Sequence, residues 1–361
     1  MPRLEEEVWR LPFSAKGEDV RLAKGGGSYR PLSSNAKARL ARIARRTPEV
    51  MVKITGRARG IGGLKAHMDY VTRNGRLVAE TQDGVPIADR AALRRLHDDW
   101  VLYNEVQARG RADARSAQSV NIILSMPPGA PRDRVQDAAR TWARDTFGDR
   151  HAWMMTRHDD REHPHVHVSV RTVGTDGKRL APGPADLQQW RERFAREMRR
   201  LGVEAEATPR QARGKVQRSE PTRIHQIERR GAQPRVRSLQ QTDAAKDAQT
   251  PRLPEPRDWQ HDIQARQDSI RRAYLAHAET LDQGSTDDKR LASDIKRFVA
   301  EMPVPLTRRQ RLATHLRSVL EQHPRRGPAQ LPHATPLPNP DTRQRVQATQ
   351  QPETAAPKLR P

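Results

Sequence analysis

The segment His165-Val166-His167-Val168-Ser169-Val170 constrains this chain more than any other. Side chains of a strand point alternately to its two faces. The three valines therefore share one face, and the two imidazoles and the serine share the other. His165 and His167 lie about 6–7 Å apart along such a strand, close enough to converge on one divalent ion. The region His158–His167 holds four of the chain's 13 histidines. Three neutral imidazoles that leave coordination positions open describe a catalytic metal site rather than a structural one. His158 ends the preceding expected strand and is the natural third ligand. Asp160 can orient an imidazole or accept a proton. His163 precedes Pro164 and is the weaker candidate.

The flanking sequence supplies the rest of a domain. Val50–Thr55 reads as a strand and Gly56–Gly63 as a loop. Leu64–Arg73 reads as a helix that buries Leu64, Met68 and Val71, stopped by Asn74-Gly75. A second helix runs from about Asp89 to Gly110, with Leu93, Leu96, Trp100, Tyr103 and Val106 as its stripe. Ser119–Met126 is a strand. Arg132–Phe147 is a helix carrying Val135, Ala139 and Trp142. Ala152–Arg157 and His165–Thr172 are strands, close enough in sequence to pair as antiparallel neighbours. A fourth helix starts near Asp186 and turns Leu187, Trp190, Phe194, Met198 and Leu201 inward. The expected fold class is α+β: a mostly antiparallel sheet covered by helices, with a helical C-terminal part and disordered basic arms.

Composition bounds the arms and the partners. Only 34% of the 361 residues are apolar, and 28 are proline, too many for a core along the whole length. The expected organisation is a basic arm at 1–48, a catalytic domain at 49–230, a linker at 231–257, a helical region at 258–323 and a Pro/Gln/Arg-rich tail at 324–361. Within the first arm, the run from Asn35 to Arg46 can form a short basic helix, for instance on nucleic acid. A net charge of +23 favours a polyanion, either nucleic acid or an anionic membrane. No apolar run is long enough for a membrane span, and no secretory signal stands at the N-terminus. Cysteine is absent, which excludes disulfide scaffolds, thiolate zinc sites and cysteine nucleophiles, and is compatible with a cytoplasmic location.

Of the four tyrosines, Tyr103 lies on an apolar helical stripe, Tyr29 in a Gly-rich arm and Tyr274 in the C-terminal helical part. Tyr70 sits between His67 and Asn74, with Arg57, Arg59, Lys65, Arg73 and Arg76 nearby in sequence. A phenol close to cations and a metal loses its proton more readily and becomes a nucleophile. The residues alone leave Tyr70 open between that role and a core position.

Three segments carry a family resemblance. His67-Met68-Asp69-Tyr70-Val71-Thr72-Arg73-Asn74-Gly75 resembles the Tyr-x-x-Arg-x-Gly motif of relaxases, the DNA-nicking transesterases of plasmid mobilisation. Asn121-Ile122-Ile123-Leu124-Ser125-Met126-Pro127 is similar to their strand ending in Ser-Phe-Pro. His158-x-Asp160-x4-His165-x-His167 is similar to their metal motif, and the branch it resembles most is that of the T-DNA border nucleases. The match covers roughly residues 49–230. Arg171 stands where the family often has Asn.

The resemblance implies a tyrosine transesterase that nicks and rejoins DNA at a transfer origin for conjugative mobilisation. Tyr70 would attack one phosphodiester and leave a 5′-phosphotyrosyl bond. His158, His165 and His167 would hold Mg²⁺ or Mn²⁺. Asp160 would assist proton removal or fix an imidazole, and Ser125, Arg73, Arg57 and Arg59 would contact DNA. Expected partners are single-stranded DNA at the origin, relaxosome accessory proteins and a type IV secretion coupling protein. The protein would act in the cytoplasm or travel to a recipient cell on its DNA. The alternatives are a rolling-circle replication initiator, a DNA-binding protein with an inactive site, and a metallohydrolase unrelated to DNA.

Overall fold

A computed structural model describes residues 32–107, 116–214, 221–250 and 258–322. The expectations for residues 1–31 and 323–361 lie outside the described residues. The described chain divides into two compact units, one within Met1–Val216 and Trp259–Pro305, the other within Gln217–Asp258 and Leu306–Pro361.

The first unit is built on a six-stranded antiparallel sheet. Its strands are β1 (Met51–Arg59), β2 (Ala79–Thr81), β3 (Pro86–Ile87), β4 (Ala117–Ser125), β5 (Trp153–His158) and β6 (His165–Arg171), in the order β1-β4-β6-β5-β2-β3. Its helices before residue 216 are α1 (Ser34–Ala44), α2 (Gly60–Val71), α3 (Arg90–Gln107), α4 (Arg132–Phe147) and α5 (Pro184–Arg200). The α+β architecture is the one the sequence implies, and β5 and β6 pair as antiparallel neighbours.

The valine face is closed. Val166, Val168 and Val170 pack with Val120, Ile122 and Leu124 of β4 and with Val135, Trp142, Phe194 and Met198 of α4 and α5. Trp142, Phe147 and Trp190 meet edge to face at 5.5–5.8 Å, and the Trp142 indole donates to the Trp190 carbonyl at 3.0 Å. Each fully buried side chain of this size stabilises by about 1.5–3 kcal/mol relative to exposure. The opposite face is covered by α2 and α3 through Leu64, Met68, Val71, Leu93 and Trp100, with Ala79, Ile87 and Met154 of the sheet.

Three local differences from the sequence reading have physical causes. The segment Gly56–Arg59 extends β1 instead of looping, because its ladder to β4 outweighs the poor strand propensity of glycine. A bulge at Thr55 absorbs one extra residue there, and the Thr55 hydroxyl donates to the Asn121 carbonyl at 3.2 Å. On α3 the buried stripe takes in His97 and Asn104, while Val106 is exposed. The third difference is the basic helix at 34–44. It buries Leu40 and Ile43 in a second core with α8 (Asp258–Asp282) and α9 (Thr286–Ala300). Arg42 meets Glu206 at 2.7 Å and Lys37 meets Asp288 at 2.7 Å, so much of its charge is spent inside the protein.

The second unit holds α6 (Thr222–Arg229), α7 (Arg235–Gln249) and α10 (Arg308–Gln322). α7 forms within the stretch expected to be a linker. Arg309 of α10 grips the Asp247 carboxylate of α7 with two hydrogen bonds, at 2.6 and 2.7 Å.

Candidate active site

The histidine face of β6 looks toward α2. The short turn between β5 and β6 sets His158 directly opposite His165 in the ladder. Directly opposed residues point to the same side of a sheet. The three rings therefore cluster, with centroids 5.4 Å apart for His158–His165, 4.3 Å for His158–His167 and 5.4 Å for His165–His167. One nitrogen from each lies within 4.8 Å of the others.

Two of the imidazoles are oriented from behind. His158 Nε2 donates to the Val71 carbonyl at 2.6 Å, which leaves Nδ1 for a ligand role. That carbonyl belongs to the last turn of α2, where helix C=O groups have no partner within the helix. His165 Nδ1 donates to the His163 carbonyl at 3.0 Å, which leaves Nε2. The His163 side chain is exposed, so that residue serves through its backbone. His158 and His167 are both held neutral: burial lowers each, with neighbouring imidazoles adding to it, and His167 falls to about 3. Neutral imidazole is the ligating form. The donor set fits a divalent cation with open positions.

Tyr70 stands at the rim. The stripe Leu64, Met68, Val71 turns inward on α2, so Tyr70 falls on the helix flank and is 57% exposed. The same flank carries His67, one turn earlier. The two side chains meet alternate residues of β6. His67 Nε2 lies 2.8 Å from Ser169 Oγ, and the Tyr70 ring lies edge-on to His167 with centroids 6.2 Å apart. Burial lowers His67 to about 4, so it too is neutral near pH 7. The Tyr70 hydroxyl makes no hydrogen bond among the described residues. It is a surface phenol beside the triad, not a core residue.

Arg73 links the phenol to the acid. Its guanidinium lies 5.6 Å from the Tyr70 ring centroid and 2.6 Å from Asp160 Oδ2. The other Asp160 oxygen is 3.9 Å from His165 Nε2. Desolvation pushes the Asp160 carboxyl up, but Arg73, His158 and His165 outweigh it and hold the carboxyl below its usual range. Arg73, Asn74 and Gly75 all adopt positive φ, at 52°, 59° and 79°. Gly75 is required there, because a Cβ would come within 3.0 Å of the Arg90 backbone nitrogen. The Tyr-x-x-Arg-x-Gly spacing is thus a helix end whose tight turn aims an arginine back over the phenol.

Ser125 ends β4 beside His165, buried, with its hydroxyl donating to the Met126 carbonyl at 3.3 Å. The structure does not bring Arg57 and Arg59 to the triad. Arg57 pairs with Val120, on the row whose side chains face α4 and α5, and both lie far along β1 from the row of His167. The β1 residue in that row is Lys53, exposed and opposite Ile123, which is opposite His167. Lys53 and His67 are the positions that sequence reasoning missed. His67 carried a signal, its place one turn before Tyr70. Arg171 sits at the far end of β6, buried, with its guanidinium 3.3 Å from the Tyr103 ring centroid. It fills a stacking position remote from the triad.

The antiparallel sheet thus brings three inward imidazoles, able to hold a metal ion, beside a rim tyrosine. Residues 89–203 match the family model described as relaxase, MobA/VirD2-like, nuclease domain. The T-DNA border endonuclease VirD2 of Rhizobium radiobacter is 27% identical over 168 residues, 42% of this chain and 39% of that protein. The T-DNA border endonuclease VirD2 of Agrobacterium fabrum (strain C58 / ATCC 33970) is 28% identical over 113 residues, 28% of this chain and 25% of that protein. Over these residues the chain is similar to VirD2-like relaxases, the branch that the motifs resemble. The first match spans about two fifths of its relative's length. The family-model match contains Ser125, Asp160 and the triad and begins after Tyr70. No helix among the described residues is long and apolar enough to cross a membrane.

Proposed function

We propose that this chain nicks and rejoins one strand of DNA at a transfer origin, by attack of Tyr70 on a phosphodiester, in conjugative mobilisation. The observation that carries the reading is the exposed Tyr70 phenol, edge-on to one of three converging imidazoles. The likeness to VirD2, named a T-DNA border endonuclease, and the net charge of +23 support DNA as the substrate.

His158 Nδ1, His165 Nε2 and a His167 nitrogen would hold a divalent ion. Bound there, the ion supplies Lewis-acid neutralisation of charge on the scissile phosphate. Imidazole donors suit Mn²⁺ better than Mg²⁺, which prefers oxygen, so Mn²⁺ is the tighter of the two expected cofactors. Tyr70 Oη forms a bond to phosphorus while the bond to the 3′ oxygen breaks. The phenolic proton leaves and the departing 3′ oxygen takes up a proton. Arg73 stabilises phenolate character from beside the ring, and Asp160 holds Arg73 in place. The phosphotyrosyl bond keeps the energy of the phosphodiester, so rejoining by a 3′ hydroxyl needs no nucleotide. Ser125 and Lys53 would contact the strand near the triad. Accessory proteins, a secretion coupling protein and travel with DNA out of the cytoplasm complete the expected setting.

The test is adduct formation. Wild type with Mn²⁺ and a single-stranded oligonucleotide carrying its transfer origin should give a species that stays DNA-linked in denaturing gel electrophoresis. Tyr70→Phe should bind the same oligonucleotide and form no adduct. An equal yield of adduct without Tyr70 removes the tyrosine mechanism.

A further inference from the structure

Behind Tyr70, between α2 and α3, lies a cavity of about 200 Å³ that the triad does not use. Its polar lining is Lys65, Asp69, Asn74, Arg90, Arg94 and His97. Three cations thus face one carboxylate. Lys65 neutralises that carboxylate at 2.5 Å. The His97 ring is spent on Asp98 at 2.8 Å and on the Ile61 carbonyl at 3.2 Å. Among the described residues Arg90 gives only Nε, to the Asn74 carbonyl at 3.1 Å, and keeps its two terminal nitrogens uncommitted. Arg94 is exposed, with no hydrogen bond or ion pair among the described residues. The cavity therefore presents two guanidinium groups without anionic partners among the described residues.

A guanidinium fork matches the geometry of a phosphate and pairs with it through two parallel hydrogen bonds. No Phe, Tyr or Trp side chain lines the cavity, and its one aromatic ring, His97, is buried and already committed to Asp98 and the Ile61 carbonyl, so the lining favours a phosphate over a stacked base. Its wall is shaped by the positive-φ turn that aims Arg73, because Gly75 packs directly on the Arg90 backbone. Asp69 precedes Tyr70 in the chain, so cavity and phenol occupy adjacent sides of one helix about 10 Å wide. A single strand crosses that distance within a few nucleotides.

We propose that this cavity binds a backbone phosphate of the single strand on one side of the scissile bond, gripped by Arg90 and Arg94 without regard to base sequence. The identity of the strand rests on the nuclease reading above; the anion site rests on the cavity itself. It keeps the strand running over α2, so that the phosphodiester at Tyr70 is held from its flank as well as at the triad.

The probe is fluorescein-labelled (dT)20, titrated with the full chain by anisotropy at several NaCl concentrations. Arg94→Gln alone and Arg90→Gln with Arg94→Gln are compared with Lys289→Gln with Arg290→Gln, which removes two charges from α9. Loss of one phosphate contact should reduce the magnitude of the log Kd against log salt slope by about 0.7. The cavity variants should show that reduction, and the α9 variant should keep the wild-type slope. Arg94→Lys should restore most of the slope, because it restores the charge. An unchanged slope in Arg94→Gln and in the cavity double overturns the proposal, as does an equal reduction in the α9 double. Adduct formation by wild type separates the two readings. An adduct with unchanged slopes keeps the nuclease and removes the phosphate site. No adduct with reduced slopes keeps the phosphate site and removes the nuclease.

Discussion

On β6, Val166, Val168 and Val170 are wholly buried in the layer made by α4 and α5, while His165, His167 and Ser169 look toward α2 across the same backbone. The valine side is covered by wide helical faces bearing Trp142, Trp190 and Phe194. The histidine side is covered by α2 through a narrow stripe, Leu64, Met68 and Val71, and the flank beside that stripe is left to His67 and Tyr70. One side fills space and fixes the sheet. The other leaves a rim where polar groups meet without being sealed. The strand that carries two of the triad histidines takes its rigidity from the side that carries none.

The largest expected effect separates the two sides by a change one residue apart. His167→Ala should lower nicking by more than the 10–100-fold typical of residues that merely support a metal ligand, with the melting temperature little changed. Val168→Ala should cost about 2 kcal/mol in urea unfolding and leave the nicking rate of the folded protein near wild type. If Val168→Ala proves as damaging to nicking as His167→Ala, the division between the faces does not hold.

Titration sharpens the contrast next. His67 and His167 have folded pKa values of about 4 and about 3, below the usual 6.5. The unfolded chain takes up their protons first as the pH falls. Stability is therefore full above about pH 6.5 and is lost as the pH falls toward the folded values, by up to about 1.4 kcal/mol per pH unit for each group. Urea unfolding in chelator between pH 7 and pH 5 should show this loss, and His167→Ala should make it shallower. An unaltered pH slope in that variant would assign the loss to groups elsewhere.

Gly75→Ala comes third. Positive φ and the close Arg90 backbone should together cost about 1–3 kcal/mol, and the displaced turn should carry Arg73 off the phenol and slow nicking. Restored nicking at lower temperature without restored Arg73 geometry would contradict that link. The smallest effect belongs to the second core. Tyr274, buried and raised by that burial, donates to the Ala212 carbonyl at 2.8 Å. Tyr274→Phe should lose roughly 1 kcal/mol and leave adduct yield unchanged.

Much of the site is legible in the sequence because it follows short periods. The alternation along β6 reveals which side chains share a face, and the turn between β5 and β6 is short enough to bring His158 opposite His165. The stripe of α2 is legible for the same reason. What is not legible depends on pairing between distant segments. β2 and β3 are three and two residues long, too short for a periodic signal, and exist through the ladder to β5. The facing of Arg57 follows from a bulge two residues earlier in β1, which no composition reveals. The carbonyl of Val71 orients His158, and a backbone acceptor leaves no mark in a sequence motif.

Mass-spectrometric mapping of the DNA-linked protein after trypsin tests the central claim most directly. The account predicts the nucleotide mass on the peptide Ala66–Arg73, at Tyr70. A modified peptide containing Tyr103 or Tyr274 instead, or DNA cut with no peptide modified at all, contradicts it.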